Sequence, residues 1–420
     1  MSREEPACLD PDDPIGVFPG PSDGERHHAP ERWRETVSAE AVTHLRREGW
    51  CVIDGFLSGA DGGGGGGADE APGGDAGNAA GGSHAGSPVD RDARALWASA
   101  LRDEIKWLSS VGLVRPNRTH FANHQGERYL FSKPHVFEAD MHDANVRGRV
   151  PALARFFEAA ASALPDAFAE ADARAERALG EGAGSSPGGG EAADAADRGA
   201  TEQKKNSPFP FPPLARLARG DAARAVKLQH NKGEGGCFPS HYDNPGGSCR
   251  RLLTCILYLN PGWTEGDGGE LTLTPFLGAS VRVRPQHDRL AAFYSDRVLH
   301  RVEPSRVDRF CLTVWLDGVS GATNAPQDVA LKVSNAVDPD SVAETLRVSP
   351  AQRSLSRAVY AEEYRASLRR CMAGAEGLEE MLASHETAVR AVRSNGPLAA
   401  LVEALRERKA FAEMGGEVEV

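Results

Sequence analysis

From residue 223 to 317 hydrophobic and polar residues alternate in short runs, each closed by Gly, Pro, Asn or Asp. Eight such runs predict strands at 226–230, 237–242, 252–259, 270–274, 279–283, 290–294, 301–303 and 309–316. A period of two places every second side chain on one face, the signature of a half-buried strand. Eight strands this short and this closely spaced predict a double-sheet jelly roll, that is, a double-stranded β-helix.

Elsewhere the period lengthens to that of a helix. Ser38 is a suitable N-cap for a helix that Gly49 stops, followed by a short strand over 50–53. Helices are expected over 93–113 and 150–173, and Arg128–Phe131 reads as a strand or the edge of a cleft. After residue 325 the pattern is helical again, with Leu355, Val359, Leu368 and Met372 at helical spacing over 352–372 and further helices near 378–392 and 397–411. The expected fold class is therefore α+β: a jelly-roll core flanked by N-terminal helices, with a packed C-terminal helical extension over 325–415.

Composition shrinks what the core can contain. Residues 1–35 are rich in Pro, Asp and His; 58–90 include six consecutive glycines; 177–207 are Gly, Ala and acid. Such stretches bury too little apolar surface to offset the entropy of ordering them, so a disordered N-terminus and two flexible inserts are expected. One folded domain over 36–324, centred on 223–318, remains.

Charge and cysteines narrow the function. The chain carries 48 Lys and Arg against 60 Asp and Glu, a formal charge of −12, and has no dense basic patch, which argues against a nucleic-acid partner. No apolar run approaches membrane-spanning length, and the segment Met1–Pro6 lacks a secretory pattern. Seven scattered cysteines without a C-x-x-C pair suggest reduced thiols and a cytoplasmic or nuclear protein with no membrane association.

His241-Tyr242-Asp243 closes the second predicted strand, so alternation turns the imidazole and the carboxylate to one side. Two such ligands and a distant second histidine make a facial triad that leaves half of a ferrous ion's coordination sphere open. Alone the pair is weak: with 13 histidines and 60 acids, about two H-x-D/E pairs are expected by chance, and one is present. His300 is the candidate third ligand, at the entrance to the 301–303 strand. His287 sits in a turn and reads as exposed; His230 could face the cavity but offers no chelating partner. Arg309 opens the last strand and shares a face with Cys311, Thr313 and Trp315. A guanidinium there needs a carboxylate, and a dicarboxylate whose other end chelates iron would supply it. The alternative is a surface arginine paired to Asp308 or Glu303. Tyr258, sharing a face with Thr254 and Ile256, is either a second donor to that carboxylate or a plain core tyrosine.

Several segments in order then carry a resemblance: His241-Tyr242-Asp243-Asn244-Pro245, Leu253–Asn260, Gly268-Gly269-Glu270-Leu271, Phe293–Arg297 and Arg309–Trp315. Together they resemble the prolyl 4-hydroxylase superfamily, nearest its cytosolic branch of oxygen-sensing hypoxia-factor prolyl hydroxylases. A weaker likeness spans Leu45–Leu57. The resemblance implies iron(II) held by His241, Asp243 and His300. It also implies 2-oxoglutarate held by Arg309, helped by Tyr258 and Thr313, O2 as co-substrate, and ascorbate as reductant. The implied substrate is a protein or peptide with a target proline; a small-molecule hydroxylase and a non-catalytic scaffold are the rivals. The family often has a tyrosine near the glycine-rich loop before the H-x-D pair; His230–Phe238 contains Phe238 and no tyrosine. The loop Asn244–Arg251, expected to be flexible, and the segment Arg115–Tyr129 are the candidate substrate contacts.

Overall fold

A computed structural model of the chain describes residues 15–19, 30–59, 88–122, 128–181, 208–320, 339–414 and 416–420. It begins with α1 (Trp33–Thr36), α2 (Ala39–Glu48) and β1 (Trp50–Ile53). Then come α3 (Pro88–Ser110), the hairpin β2 (Arg115–Ala122) and β3 (Arg128–Asp140), α4 (Ala144–Arg147), α5 (Pro151–Ala159) and α6 (Ala163–Glu181). The eight predicted strands follow as β4 (Arg224–Asn231), β5 (Phe238–His241), β6 (Arg251–Tyr258), β7 (Leu271–Pro275), β8 (Val281–Val283), β9 (Arg289–Tyr294), β10 (Val298–Val302) and β11 (Arg309–Asp317). Helices α7 (Pro339–Arg347), α8 (Gln352–Val359), α9 (Ala361–Cys371), α10 (Leu378–Arg393) and α11 (Gly396–Glu413) lead to a last strand, β12 (Val418–Glu419).

Two sheets face each other. One has the order β1-β9-β6-β11-β4-β3-β2, the other β12-β8-β7-β10-β5. Pairing is antiparallel throughout, except that β12 runs parallel to β8. Strand alternation decides which face each residue joins. From β11, Phe310, Leu312, Val314 and Leu316 enter the core shared with the N-terminal helices, while Cys311 packs between the sheets. In β6, Leu253, Cys255 and Leu257 go to the helices and Ile256 and Tyr258 turn inward. A one-residue slip would exchange the two sets and bury Arg309 among leucines, so the register is strongly specified. Burying each such leucine is worth about 1.5–3 kcal/mol.

The N-terminal boundary lies earlier than residue 36. Trp33 is buried against Phe56, Trp97 and Phe156, with ring centroids 5.2, 6.1 and 5.6 Å away. As expected, the Ser38 hydroxyl caps α2, accepting from Ala41 N at 3.0 Å, and Gly49 ends the helix at φ +90°. α3 already begins at Pro88 and α6 extends to Glu181, shortening both expected inserts. The rest of the stretches expected to be disordered or flexible (1–35, 58–90 and 177–207) lies outside the described residues, apart from 15–19, the 3-10 turn Pro30–Arg32 and the turn at 58–59.

Two expected helices are broken. The 150–173 helix divides into α5 and α6. The 352–372 helix breaks at Tyr360 (φ −103°, ψ 37°), whose buried hydroxyl accepts a hydrogen bond from Leu277 N at 2.8 Å. That break lets one tyrosine anchor the C-terminal helices to the second sheet, a long-range contact that local helical periodicity does not encode. Those helices are woven into the domain: Ser240 N in β5 donates to Ser367 Oγ in α9 at 3.0 Å, and β12 closes the edge of the second sheet. Among the described residues no helix is long and apolar enough to cross a membrane.

Candidate active site

β5 and β10 are neighbours in the second sheet, and their register sets His300 directly opposite His241. His300 thus lies within a strand instead of at the entrance to one, since β10 begins at Val298. Paired residues on adjacent strands point to the same face, and the two rings meet with centroids 4.2 Å apart. Asp243, just past the end of β5, completes the group. One donor atom each from His241, Asp243 and His300 lie within 4.8 Å of one another.

Hydrogen bonds settle which atoms are free. His241 Nδ1 lies 2.8 Å from Pro239 O, and His300 Nδ1 lies 3.2 Å from Val298 O. A carbonyl only accepts, so each Nδ1 carries the proton and each Nε2 keeps a lone pair. Those Nε2 atoms stand 3.4 Å from Asp243 Oδ1 and 3.6 Å from Asp243 Oδ2 respectively. Thr254 Oγ1 donates to Asp243 Oδ2 at 2.8 Å and lies 2.8 Å from Ser295 Oγ, which holds the carboxylate. Burial alone would raise the Asp243 carboxyl, yet the facing His300 and His241 hold it well below the usual carboxylate range. Burial, reinforced by His241, pushes His300 down to about 4 against the pull of Asp243. At neutral pH the cluster therefore presents one carboxylate and a neutral His300 imidazole. This donor set fits a divalent metal, and the half-exposed His241 side chain marks where the site opens to ligands.

Arg309 is buried to 1% exposure and turns between the sheets, as strand alternation predicts. Its Nε donates to Gly269 O at 2.8 Å, its Nη1 lies 3.3 Å from Cys311 Sγ, and it sits over the Tyr258 ring, 5.1 Å from the centroid. Among the described residues it has no carboxylate. Asp308 approaches His230, while Glu303 is taken by Arg301, Arg370 and Thr272, so neither is its partner. Apart from the adjacent Arg309, the buried Tyr258 hydroxyl has no hydrogen-bond partner among the described residues. Burial pushes that phenol well above its ordinary value, opposed by the Arg309 charge. A buried, uncompensated guanidinium beside an orphaned phenol is the donor pair that an incoming carboxylate would satisfy. Thr313 is buried on the same face of β11, two residues from Cys311.

Other candidates fall elsewhere. His230 turns away from the cavity, with Nδ1 3.1 Å from Ser109 Oγ and its ring stacked on Phe310. His287 is half-buried in the β8–β9 turn instead of exposed, and stays out of the donor group. The loop after Asp243 is closed on itself: Asn244 Nδ2 donates to Arg251 O and Arg353 Nη1 to Asn244 O, both at 2.7 Å. Arg115–Tyr129 belongs largely to the β2–β3 hairpin, with 123–127 outside the described residues.

Sequence reasoning gave no role to Thr254 or Gly269. Thr254 could have been found, since it lies four residues before Tyr258 on the same face of β6. Gly269 sits at φ +78°, and a Cβ there would meet Arg309 Cδ at 2.8 Å.

Residues 226–317 match the 2OG-Fe(II) oxygenase superfamily. Over 86 residues the chain is 43% identical to the mouse prolyl hydroxylase EGLN3 and 41% identical to human Egl nine homolog 1. That stretch is 20% of this chain but spans only 36% of the mouse protein and 20% of the human one. A solved prolyl 4-hydroxylase structure from Phytophthora capsici aligns with a TM-score of 0.60 at 32% identity, covering 95% of this chain and 99% of that one. The likeness to that structure runs nearly end to end in both chains, and the chain belongs to the prolyl 4-hydroxylase superfamily of 2-oxoglutarate–Fe(II) oxygenases.

Proposed function

We propose that this protein is an Fe(II)- and 2-oxoglutarate-dependent dioxygenase that hydroxylates proline in a protein or peptide. One observation carries the reading: a buried arginine with no counter-ion among the described residues shares the inter-sheet space with a three-donor cluster. His241, Asp243 and His300 would hold the iron. Arg309 and Tyr258, with Thr313 beside them, would hold the far carboxylate of 2-oxoglutarate. When bound, iron and 2-oxoglutarate supply the oxidising chemistry, in which O2 is consumed, succinate and CO2 leave, and one oxygen enters a substrate C–H bond.

The chain's own part is positioning and exclusion of water. The Pro239 and Val298 carbonyls fix both imidazoles as Nε2 donors. Thr254 keeps the Asp243 carboxylate from rotating. Phe238 and Phe293 pack beside the two imidazoles, with ring centroids 6.3 Å from His241 and 4.6 Å from His300, and keep that side apolar. Ascorbate as reductant, a role in oxygen sensing and a cytoplasmic or nuclear setting complete the proposal.

The test is turnover of 2-oxoglutarate to succinate with Fe(II) and proline-containing peptides, followed by mass spectrometry of the peptide. A one-oxygen gain at proline is expected, and it should be lost in His241→Ala. No decarboxylation together with no iron binding contradicts the reading.

A further inference from the structure

Beyond β4 the seven-stranded sheet extends two strands further, as the β2–β3 hairpin. C-terminal helices face this overhang: Phe131 of β3 packs with Met372 and Met381, beside Leu368 and Leu378. Between the hairpin, β5 and α9 lies a polar cluster that the reaction does not use.

Lys133 is its centre. The ammonium donates to Asn117 Oδ1 and Thr119 Oγ1, both neutral, and lies 5.1 Å from the centroid of the Phe238 ring. An ammonium has three donors, so one is left over. Among the described residues no carboxylate bonds it. The nearby Glu138 is already engaged, by Asn117 Nδ2 on one oxygen and by Lys227 Nζ at 2.7 Å on the other. In a chain of net charge −12, this wall carries two lysines against one glutamate. Burial pushes Lys133 down to about 8, the direction expected of a cation whose desolvation is not balanced. A half-buried cation held by neutral partners has, among the described residues, no anion of its own to balance it.

2-Oxoglutarate does not supply it. β3 is two strands from β11, roughly 10 Å across the sheet, and Lys133 lies three residues beyond Val136, the β3 residue in register with Arg309 through Asn231, so the two cations start from separate parts of the cavity. Lys133 nevertheless borders the metal cluster, since the Phe238 ring beneath it stacks 6.3 Å from the His241 ring. The two steps, 5.1 Å from the ammonium to the Phe238 ring and 6.3 Å on to the His241 ring, together reach at most roughly the length of three extended residues.

We propose that Lys133 is a substrate-binding residue that anchors an acidic side chain of the peptide, about two to four positions from the oxidised residue. This rests on the reading of the protein as a peptide hydroxylase. The anchoring is an ion pair in a half-buried cleft, screened less than a surface pair, and it selects among peptides without touching the reacting atoms.

The experiment measures fluorescence anisotropy of two labelled peptides on the full chain loaded with a redox-inert divalent metal and 2-oxoglutarate. Both peptides carry one proline in a Gly- and Ala-rich context and differ by Glu or Gln three residues away. The Glu peptide should bind about five- to tenfold more tightly at low salt, and Lys133→Met should abolish the difference. Raising the salt on the wild-type chain should shrink it, a check independent of how the variant folds. Equal affinities in the wild type, a preference that survives Lys133→Met, or failure of the Glu peptide to bind each overturn the proposal. So does a rise in the 2-oxoglutarate KM in Lys133→Met without loss of the peptide preference, which would assign the lysine to the co-substrate. Glu-dependent binding with no hydroxylation of either peptide in a parallel assay with Fe(II), O2 and 2-oxoglutarate would instead sink the hydroxylase reading and leave the anionic site standing.

Discussion

His300 faces His241 across the β5–β10 pairing, so one register fixes both imidazoles of the cluster. Local geometry finishes the job, because each ring takes its Nδ1 partner from the carbonyl two residues before it on its own strand. The placement of both imidazoles is thus a property of the sheet. The loop that follows contributes only Asp243, and Thr254 restrains that carboxylate.

Replacing that restraint should weaken metal binding without unfolding the protein. Thr254→Val keeps the shape and deletes the hydrogen bond to Asp243 Oδ2. Loss of such an outer partner typically costs about 10- to 100-fold in metal affinity. Titration with Co(II) should show the loss, Thr254→Ser should restore most of it, and the melting temperature should change little. Unchanged affinity in Thr254→Val would remove the threonine from the site.

Arg309 should separate ligand binding from stability. Arg309→Met removes a buried charge that no described carboxylate balances, so stability should hold or rise, as it does when buried charges give way to apolar side chains. The 2-oxoglutarate KM should rise roughly 100-fold, equivalent to about 3 kcal/mol for lost charge-assisted hydrogen bonds. A large fall in melting temperature with an unchanged KM would make Arg309 structural.

Gly269→Ala should disturb the same clamp from the other side. Its φ of +78° disfavours any side chain, and the new Cβ would press on Arg309 Cδ at 2.8 Å. Expected is a loss of about 1 kcal/mol in stability and a higher 2-oxoglutarate KM, with Co(II) affinity unchanged. Metal affinity falling in step with the KM would show instead that the sheet had moved as a whole.

Glu104 should give the fold a pH dependence. Its carboxylate accepts from Ala152 N at 2.8 Å and Leu153 N at 2.7 Å at the start of α5, yet burial raises it from 4.5 to about 7, against those bonds and Arg155. The folded state then binds the proton more tightly than the unfolded state. Its contribution is full below about pH 4.5 and is lost as the pH rises through about 7. The size is on the order of 3 kcal/mol. Denaturant titrations of the wild type and Glu104→Gln across this window should diverge by that amount; parallel curves would contradict the assignment.

What was legible in the sequence follows from what short-range patterns can carry. Period-two alternation located all eight core strands and the faces of Arg309 and Tyr258, because side-chain direction along a strand is a local property. Contacts that close long loops were not legible. The Trp33 anchor, the Tyr360 break and the grip of Ser367 on Ser240, 127 residues away, all depend on packing between distant segments. The same holds for β3, which was expected only over 128–131 and runs to Asp140 because β4 supplies its partners. His287 looked exposed because its turn is polar, whereas the structure leaves it half-buried, and that burial, then Arg102, lowers its pKa.

The central claim is that His241, Asp243 and His300 bind one ferrous ion and that Arg309 holds 2-oxoglutarate against it. Anaerobic titration with Fe(II) and then 2-oxoglutarate, followed by visible absorption, tests this most directly. The account predicts one iron per chain and a visible charge-transfer band on adding 2-oxoglutarate. The band should disappear in Asp243→Ala and His300→Ala, and in Arg309→Met it should need far more 2-oxoglutarate. An unchanged band and iron stoichiometry in Asp243→Ala and His300→Ala would contradict it.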